Sequence, residues 1–571
     1  MQRTSLLKGN YLINHAKYKV WFAQMNDNKF IDLVISRSWM AMFVAIIYQS
    51  AYFPDLSNLF AIGCIVFVWF IFTKLFFRAG LIREYPLSFF MILCFVVTQF
   101  CFPLLFTSLE QHPVVFNLVL PYQVFFHSTA AFIVLLLTHA LYRTWFKQTT
   151  RNTPRLFIKL GFFDVPADLQ LWLMGVVGLA ATFYAYLYSP ASIAWQVGGA
   201  SAGDKAVQAL LPFSYAPFYI PFSRLYGKTK PSSGSLVPML VAYTLLLFII
   251  SIARNNRSGF MVGFSSAGFT YALGLLLGTY KIKFFTLRNC FIALSLGYLL
   301  TGPMADIGTA MVIVRGQRYD LPYSELIAET FQVFSDKQAI QHYRLLDTEE
   351  ADPNGWDERY LKNIFLSRFC NIKYNDNSLV QAEKIWEYNP AMLKFSIDYV
   401  WAVFPQPVLN ILGMTEIDKV KLKGISFGDY LYYTAGAPSE VLGGYRLGHF
   451  AGTGMASFGW WYLLLFGVGM LPVFFLIDKF CMAMPASATP QEKNSTGTQL
   501  RFSLCGLLIL DYIFHFMQPE TVLFFTNFLL RDWLQQVFLY FVMYQFTRVI
   551  VWLVSGNAAK PSLPRFHSLS R

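Results

Sequence analysis

The sequence predicts an all-α, polytopic integral membrane protein of about twelve transmembrane helices, with a large helical loop between the ninth and tenth. Three observations lead there. Of 571 residues, 56% are hydrophobic and only 13% are charged, a balance foreign to water-soluble chains of this size. Apolar runs long enough to cross a hydrocarbon core of about 30 Å recur along most of the chain. The stretch from Arg315 to Phe450 breaks the series, and it holds 18 of the 32 acidic residues, so acids gather on one connection while bases gather on others.

The spans read as 35–54, 58–77, 87–108, 120–142, 168–189, 206–224, 235–253, 259–279, 288–312, 454–477, 502–518 and 530–553. The sixth contains Pro212, Pro217 and Pro221, tolerable only where neighbouring helices or water take up the freed backbone groups. The segment 519–532, ending in Arg531-Asp532, is too short to cross alone and reads as re-entrant or interfacial. No inverted repeat of the kind found in many secondary transporters is seen.

Charge orients the spans. Lys8, Lys17, Lys19 and Lys29 precede the first; Lys74, Arg78 and Arg83 follow the second; Arg143, Lys147, Arg151, Arg155 and Lys159 follow the fourth. Arg224, Lys228 and Lys230, then Lys281, Lys283 and Arg288, then Lys479, Lys493 and Arg501 follow the sixth, eighth and tenth. The connections Pro54–Ser57, Ser108–Pro113 and Ser189–Gly203 carry no Lys or Arg. By the positive-inside bias both termini are cytoplasmic and the long loop is outside. The domains are then 1–312 with nine spans, 313–452 as the outer loop, and 453–571 with three spans and a cytoplasmic tail.

The net charge of +13 follows from these boundary segments, so no nucleic-acid partner is implied. The seven cysteines show no metal spacing and no disulfide framework. The polar N-terminus lacks the apolar core of a removable signal peptide. Runs such as Tyr323–Arg344 and Ser378–Trp386 place apolar residues at three- and four-residue spacing, so the loop is expected to form amphipathic helices over the membrane opening.

Four sets of residues could carry chemistry. The short outer turn Arg254-Asn255-Asn256-Arg257-Ser258-Gly259 opens a span with two guanidiniums, groups that match phosphate oxygens bidentately. Snorkelling arginines at lipid headgroups would look the same. Arg315 and Arg318 stand where the ninth span leaves the membrane, as part of a basic pocket or as interfacial anchors. In Gly443-Gly444-Tyr445-Arg446-Leu447-Gly448-His449, glycines allow close backbone approach, and His449 has the side chain suited to take a proton from a sugar hydroxyl. Arg446 could steady developing negative charge; alternatively the glycines form a turn that His449 caps or fills and Arg446 is an anchor. Asp511 and His515 lie i, i+4 within a span, as a relay or a structural pair, and Asp306 is a further open candidate. Trp356, Tyr360, Tyr374, Trp386, Tyr388, Tyr399 and Trp401 alternate with carboxylates in the loop, a mixture suited to carbohydrate or to a surface cap.

The long outer loop, the Asn-Asn-Arg-Ser-Gly turn at 255–259 and the stretch His449 to Gly459 followed by Trp460-Trp461 resemble the bacterial O-antigen polymerase and O-antigen ligase superfamily of membrane glycosyltransferases. Ligases of that superfamily follow the histidine with Asn, Ser or Gln, where this chain has Phe450. The resemblance implies a GT-C-like, metal-independent glycosyltransferase in the bacterial inner membrane, without a cofactor. It implies that Arg254 and Arg257, with Arg315 or Arg318, bind the pyrophosphate of an undecaprenyl-linked oligosaccharide, and that His449 activates the acceptor hydroxyl. Its partners would be that lipid-linked glycan, the bilayer and a polysaccharide chain-length regulator. The expected activity is polymerisation of repeat units on the periplasmic face, with ligation to another acceptor and non-enzymatic transport or flipping of the lipid-linked glycan as alternatives.

Overall fold

In a computed structural model of the chain, the described residues are 29–146, 155–185, 202–228, 236–253, 258–280, 286–314, 321–345, 355–385, 388–484 and 499–555. Among them the chain is mostly helical, with one antiparallel hairpin pairing Cys481–Met484 with Gln499–Phe502. Among the described residues, seven helices are long and apolar enough to cross a membrane: Lys29–Tyr52, Leu56–Phe76, Pro86–Leu109, Pro121–Trp145, Leu287–Ile313, Trp461–Asp478 and Phe524–Val554. The protein is therefore a helical membrane protein. Pro86–Leu109 lies at the centre, with Leu87, Phe89, Phe95, Val96, Phe100 and Leu104 fully buried, whereas Lys29–Tyr52 exposes Phe43, Val44 and Ile47.

Other apolar stretches take shorter or broken forms. Asp168–Phe183, Val237–Ala253 and Ser258–Leu276 are apolar helices of 16, 17 and 19 residues. The proline-bearing stretch expected as a sixth span is the short helix Ala202–Gln208 followed by a 3₁₀ run, Leu211–Phe222. Its prolines lack the N–H that an α ladder requires. The run lies against Asp168–Phe183, where Gly178 makes room: a Cβ there would stand 2.0 Å from the Ser214 nitrogen. The stretch expected at 502–518 is divided into Leu504–Leu508 and Leu510–Phe516, and the Tyr219 hydroxyl donates to the Leu507 carbonyl (2.6 Å) at the break. Leu287–Ile313 is interrupted at Gly302 and restarted by Pro303.

The insert is built of helices, among them Tyr323–Ser335, Lys337–Leu345, Ile372–Lys384, Pro390–Trp401, Lys419–Lys423 and Phe427–Thr434. Cys370 within it is a buried free thiol. The insert packs on one end of the bundle, where it meets the connection around 110–120, which has no Lys or Arg. Glu110 accepts from the backbone N–H groups of Lys362 and Asn363, and the Tyr360 hydroxyl donates to the Val114 carbonyl. Asp376 accepts from the Val119 and Leu120 N–H groups, capping Pro121–Trp145 from outside its own chain segment. A carboxylate suits that helix start, and the buried Lys373 ammonium, 2.9 Å away, neutralises it. Asp306 joins a span to the insert through Lys337 and Arg344.

The opposite end is bolted in the same manner. Asp478 accepts from the Leu87 and Ser88 N–H groups, the Ser88 hydroxyl and the Tyr142 hydroxyl, capping Pro86–Leu109. Lys228–Asp168, Arg548–Asp164 and the Phe502–Leu225 backbone bond lie in the connections at that end. The basic connections and the insert thus occupy opposite ends of the bundle.

Candidate functional site

Pro103 shapes the first component of the site. It cannot donate to the Gln99 carbonyl one turn earlier, and Val97–Cys101 opens into a π turn. The Phe102 N–H reaches back to Val97, and the Thr98 carbonyl accepts from the insert's Asn371 N–H (3.2 Å). The Gln99 side chain in this turn is fully buried and faces His449, the two Nε2 atoms 3.4 Å apart.

His449 is the N-cap of Phe450–Phe458. Its backbone N–H donates to the Ser378 hydroxyl (2.8 Å), and Nδ1 accepts from the Ala451 N–H (3.3 Å). A ring whose Nδ1 accepts carries its proton on Nε2. The match to Gln99 is then its amide oxygen, an orientation assigned by hydrogen-bond logic. The polar chain continues from Gln99 to Ser128 (3.2 Å) and from Ser128 to Asn375 (3.1 Å). Burial, with His127 adding to it, pushes the His449 imidazole down to about 3. In this conformation His449 is neutral, its one lone pair is committed to a backbone amide, and it makes a buried cap.

Arg446 is also committed. Its guanidinium donates to buried Asp429 (3.1 Å) and to the Val441 carbonyl (2.9 Å), and lies over the Tyr432 ring. The glycines around it serve approach of the chain to itself. A Cβ on Gly452 would meet the Ser378 carbonyl carbon at 2.2 Å, and one on Gly428 the Arg446 oxygen at 2.5 Å. Arg254, Arg257, Arg315 and Arg318 lie outside the described residues, as do Asn255 and Asn256. Asp511 accepts a hydrogen bond from the Ser265 hydroxyl.

Beside the His449 cap lies a cleft of about 500 Å³, lined by Gln123, Phe126, His127, Leu379, Ala382, Glu383, Met455 and Trp460. Trp460 stacks on His127 with centroids 4.8 Å apart and planes within 3°, and Phe126 stands edge-on to it. The His127 Nδ1 and Tyr462 hydroxyl are 2.7 Å apart, which fixes the ring. At the rim the Gln123 amide donates to Glu383. Aromatic faces above an apolar floor, with an amide and a carboxylate at the edge, can hold the apolar face of a sugar ring and bind its hydroxyls.

Glu520 does not line the cleft but is bound to the helix that carries the cleft residue Met455. Pro519 and Glu520 return to the His449 helix: Phe450 N–H donates to the Pro519 carbonyl, and the Thr453 hydroxyl to that of Glu520. The Glu520 carboxylate accepts from the Phe427 N–H (3.1 Å). Burial pushes its carboxyl up to about 7, the Phe427 hydrogen bond opposes the shift, and Asp429 and Glu358 add to it. Sequence inspection missed Glu520 because it looks like an ordinary boundary carboxylate, and missed Gln99 and His127 because neither belongs to a local motif. The Trp460-Trp461 pair was the one visible signal of the cleft. No protein-family model, curated protein or solved structure matches the chain.

Proposed function

We propose that the protein is a membrane glycosyltransferase that joins undecaprenyl-pyrophosphate-linked oligosaccharide repeat units at the outer face of a bacterial inner membrane. The reading includes twelve spans in a GT-C-like bundle, cytoplasmic termini and a periplasmic insert. The observation that carries it is the cleft of Trp460, His127 and Phe126 with Gln123 and Glu383 at its rim, set between the bundle and its helical roof. An aromatic-walled cleft there suits a glycan held at the membrane boundary.

In this reaction an acceptor hydroxyl oxygen bonds to the anomeric carbon of the donor, whose bond to pyrophosphate oxygen breaks. The hydroxyl proton passes to a base and the electron pair leaves on the lipid pyrophosphate. The base in this reading is Glu520, which lies outside the cleft lining, is bound through its carbonyl by Thr453 on the helix that carries the cleft residue Met455, and has a carboxyl that burial holds at about 7. His449 and Arg446 act as positioning residues, holding the helix start and the 445–448 loop on which the cleft and Glu520 rest.

Deletion of the gene tests the proposal. Surface polysaccharide reduced to single repeats is the expected result. Normal-length glycan retained on the carrier lipid would instead indicate a ligase, and accumulation of lipid-linked repeats on the cytoplasmic side a flippase. Trp460→Ala in an otherwise intact chain should raise KM for the lipid-linked repeat roughly three- to tenfold, the worth of one aromatic face.

A further inference from the structure

The walls of the cleft come from separate helices, and their chemistry is one-sided in charge. Gln123, Phe126 and His127 are i, i+3, i+4 on Pro121–Trp145, so they share a face. Leu379, Ala382 and Glu383 have the same spacing on Ile372–Lys384. Met455, from Phe450–Phe458, and Trp460 complete the lining. The rings of Phe126 and Trp460 are 54% and 46% exposed, so their faces are open to a ligand. Glu383 is the one acid of the lining, and no Lys or Arg stands among the described residues that form it.

The base next to Glu383 in sequence is turned elsewhere. Lys384 stands about 100° further round the helix. Its ammonium donates to the Gln381 side chain (3.1 Å), which itself donates to the Gly355 carbonyl of the insert (3.1 Å). His127 is held by its stack on Trp460 and by the Tyr462 hydroxyl, 2.7 Å from Nδ1. Glu383 accepts from the Gln123 amide across the rim, and a carboxylate has lone pairs for further donors. Rim, rings and floor then act on an anion in the same direction. The carboxylate repels it, the aromatic faces present the negative side of their quadrupole, and the apolar floor strips its water without supplying a partner.

We infer that the cleft takes an uncharged sugar ring and discriminates against an acidic one, such as a uronic acid, with Glu383 as the residue that sets the preference. The C–H face of the ring lies on Trp460 and Phe126, and its hydroxyls donate to Glu383. The inference rests on the reading of the cleft as a glycan site and adds the charge of the sugar it accepts. It makes no use of the transfer step.

The test uses the full chain in neutral phosphatidylcholine nanodiscs, with methyl hexosides and their matching methyl uronides as probes. Binding is read by saturation-transfer NMR, and Trp460→Ala marks the signal that belongs to the cleft. A neutral hexoside should bind about fivefold more tightly than its uronide, the scale of one surface charge interaction screened by water. Glu383→Gln, which keeps an acceptor for Gln123, should bring each pair to within about twofold. Glu383→Lys should reverse the order, a gain that misfolding does not mimic. A uronide bound by the native chain as tightly as its neutral partner, or a preference unchanged in both Glu383 variants, overturns the inference. No cleft signal from any neutral hexoside also overturns it. Repeat units joined by a chain that lacks the preference would overturn this inference alone. The preference in a chain that releases no undecaprenyl pyrophosphate would overturn the transfer reading and leave this one standing.

Discussion

At the level of single residues, two buried groups shift stability with pH in opposite directions. The folded chain holds His449 down at about 3, whereas an unfolded histidine titrates near about 6.5. Below that value the unfolded state binds the extra proton, so this contribution to stability is lost as pH falls. Replacing His449 by Asn, a good N-cap that does not titrate, should give a thermal midpoint that falls less than the native one between about pH 7 and pH 4. Glu520 has the reverse sign. Its folded value of about 7 exceeds that of an unfolded glutamate, so the folded state holds the proton between about 4.5 and 7 and loses that advantage as pH rises. Glu520→Gln should therefore gain on the native chain above about pH 7 in the same melting experiment. If Glu520 is the base, the variant should also lose turnover together with the acidic limb of the rate profile.

At the level of elements, the join between insert and bundle rests on buried groups whose loss is measurable. Asp376→Asn leaves the Lys373 ammonium buried without its carboxylate, which costs about 3–5 kcal/mol. Adding Lys373→Met should recover part of it, as read by chemical unfolding in detergent. Gly452→Ala drives a methyl into the Ser378 backbone and should cost about 1–3 kcal/mol while loosening the insert to protease. Much of this level was legible in the sequence. Apolar length marked the long spans, three- and four-residue spacing marked the insert's helices, and His449 stands at the start of a helix that reads as such. The π turn at Gln99 was hidden, because Pro103 alone does not say which carbonyl will be claimed by Asn371. The 206–224 stretch was hydrophobic enough to read as a span, but hydropathy does not register the missing proline N–H groups that turn it into a 3₁₀ run.

At the level of the whole molecule, the two sets of connections separate to opposite ends, so membrane sidedness is testable with two probes. In a cysteine-free background, an impermeant thiol reagent applied outside the cell should label Lys421→Cys on the insert and spare Arg155→Cys. The reverse result would invert the proposed orientation. Reading along the chain led to arginines at span ends, where charge is conspicuous in sequence. The central claim is that this bundle makes a glycosidic bond, and the direct measurement is made on the purified chain supplied with a lipid-linked repeat unit. The account predicts that two or more repeats accumulate on one carrier while undecaprenyl pyrophosphate is released in step. Repeat units that bind and are recovered unjoined, with no pyrophosphate-bearing lipid set free, would contradict it.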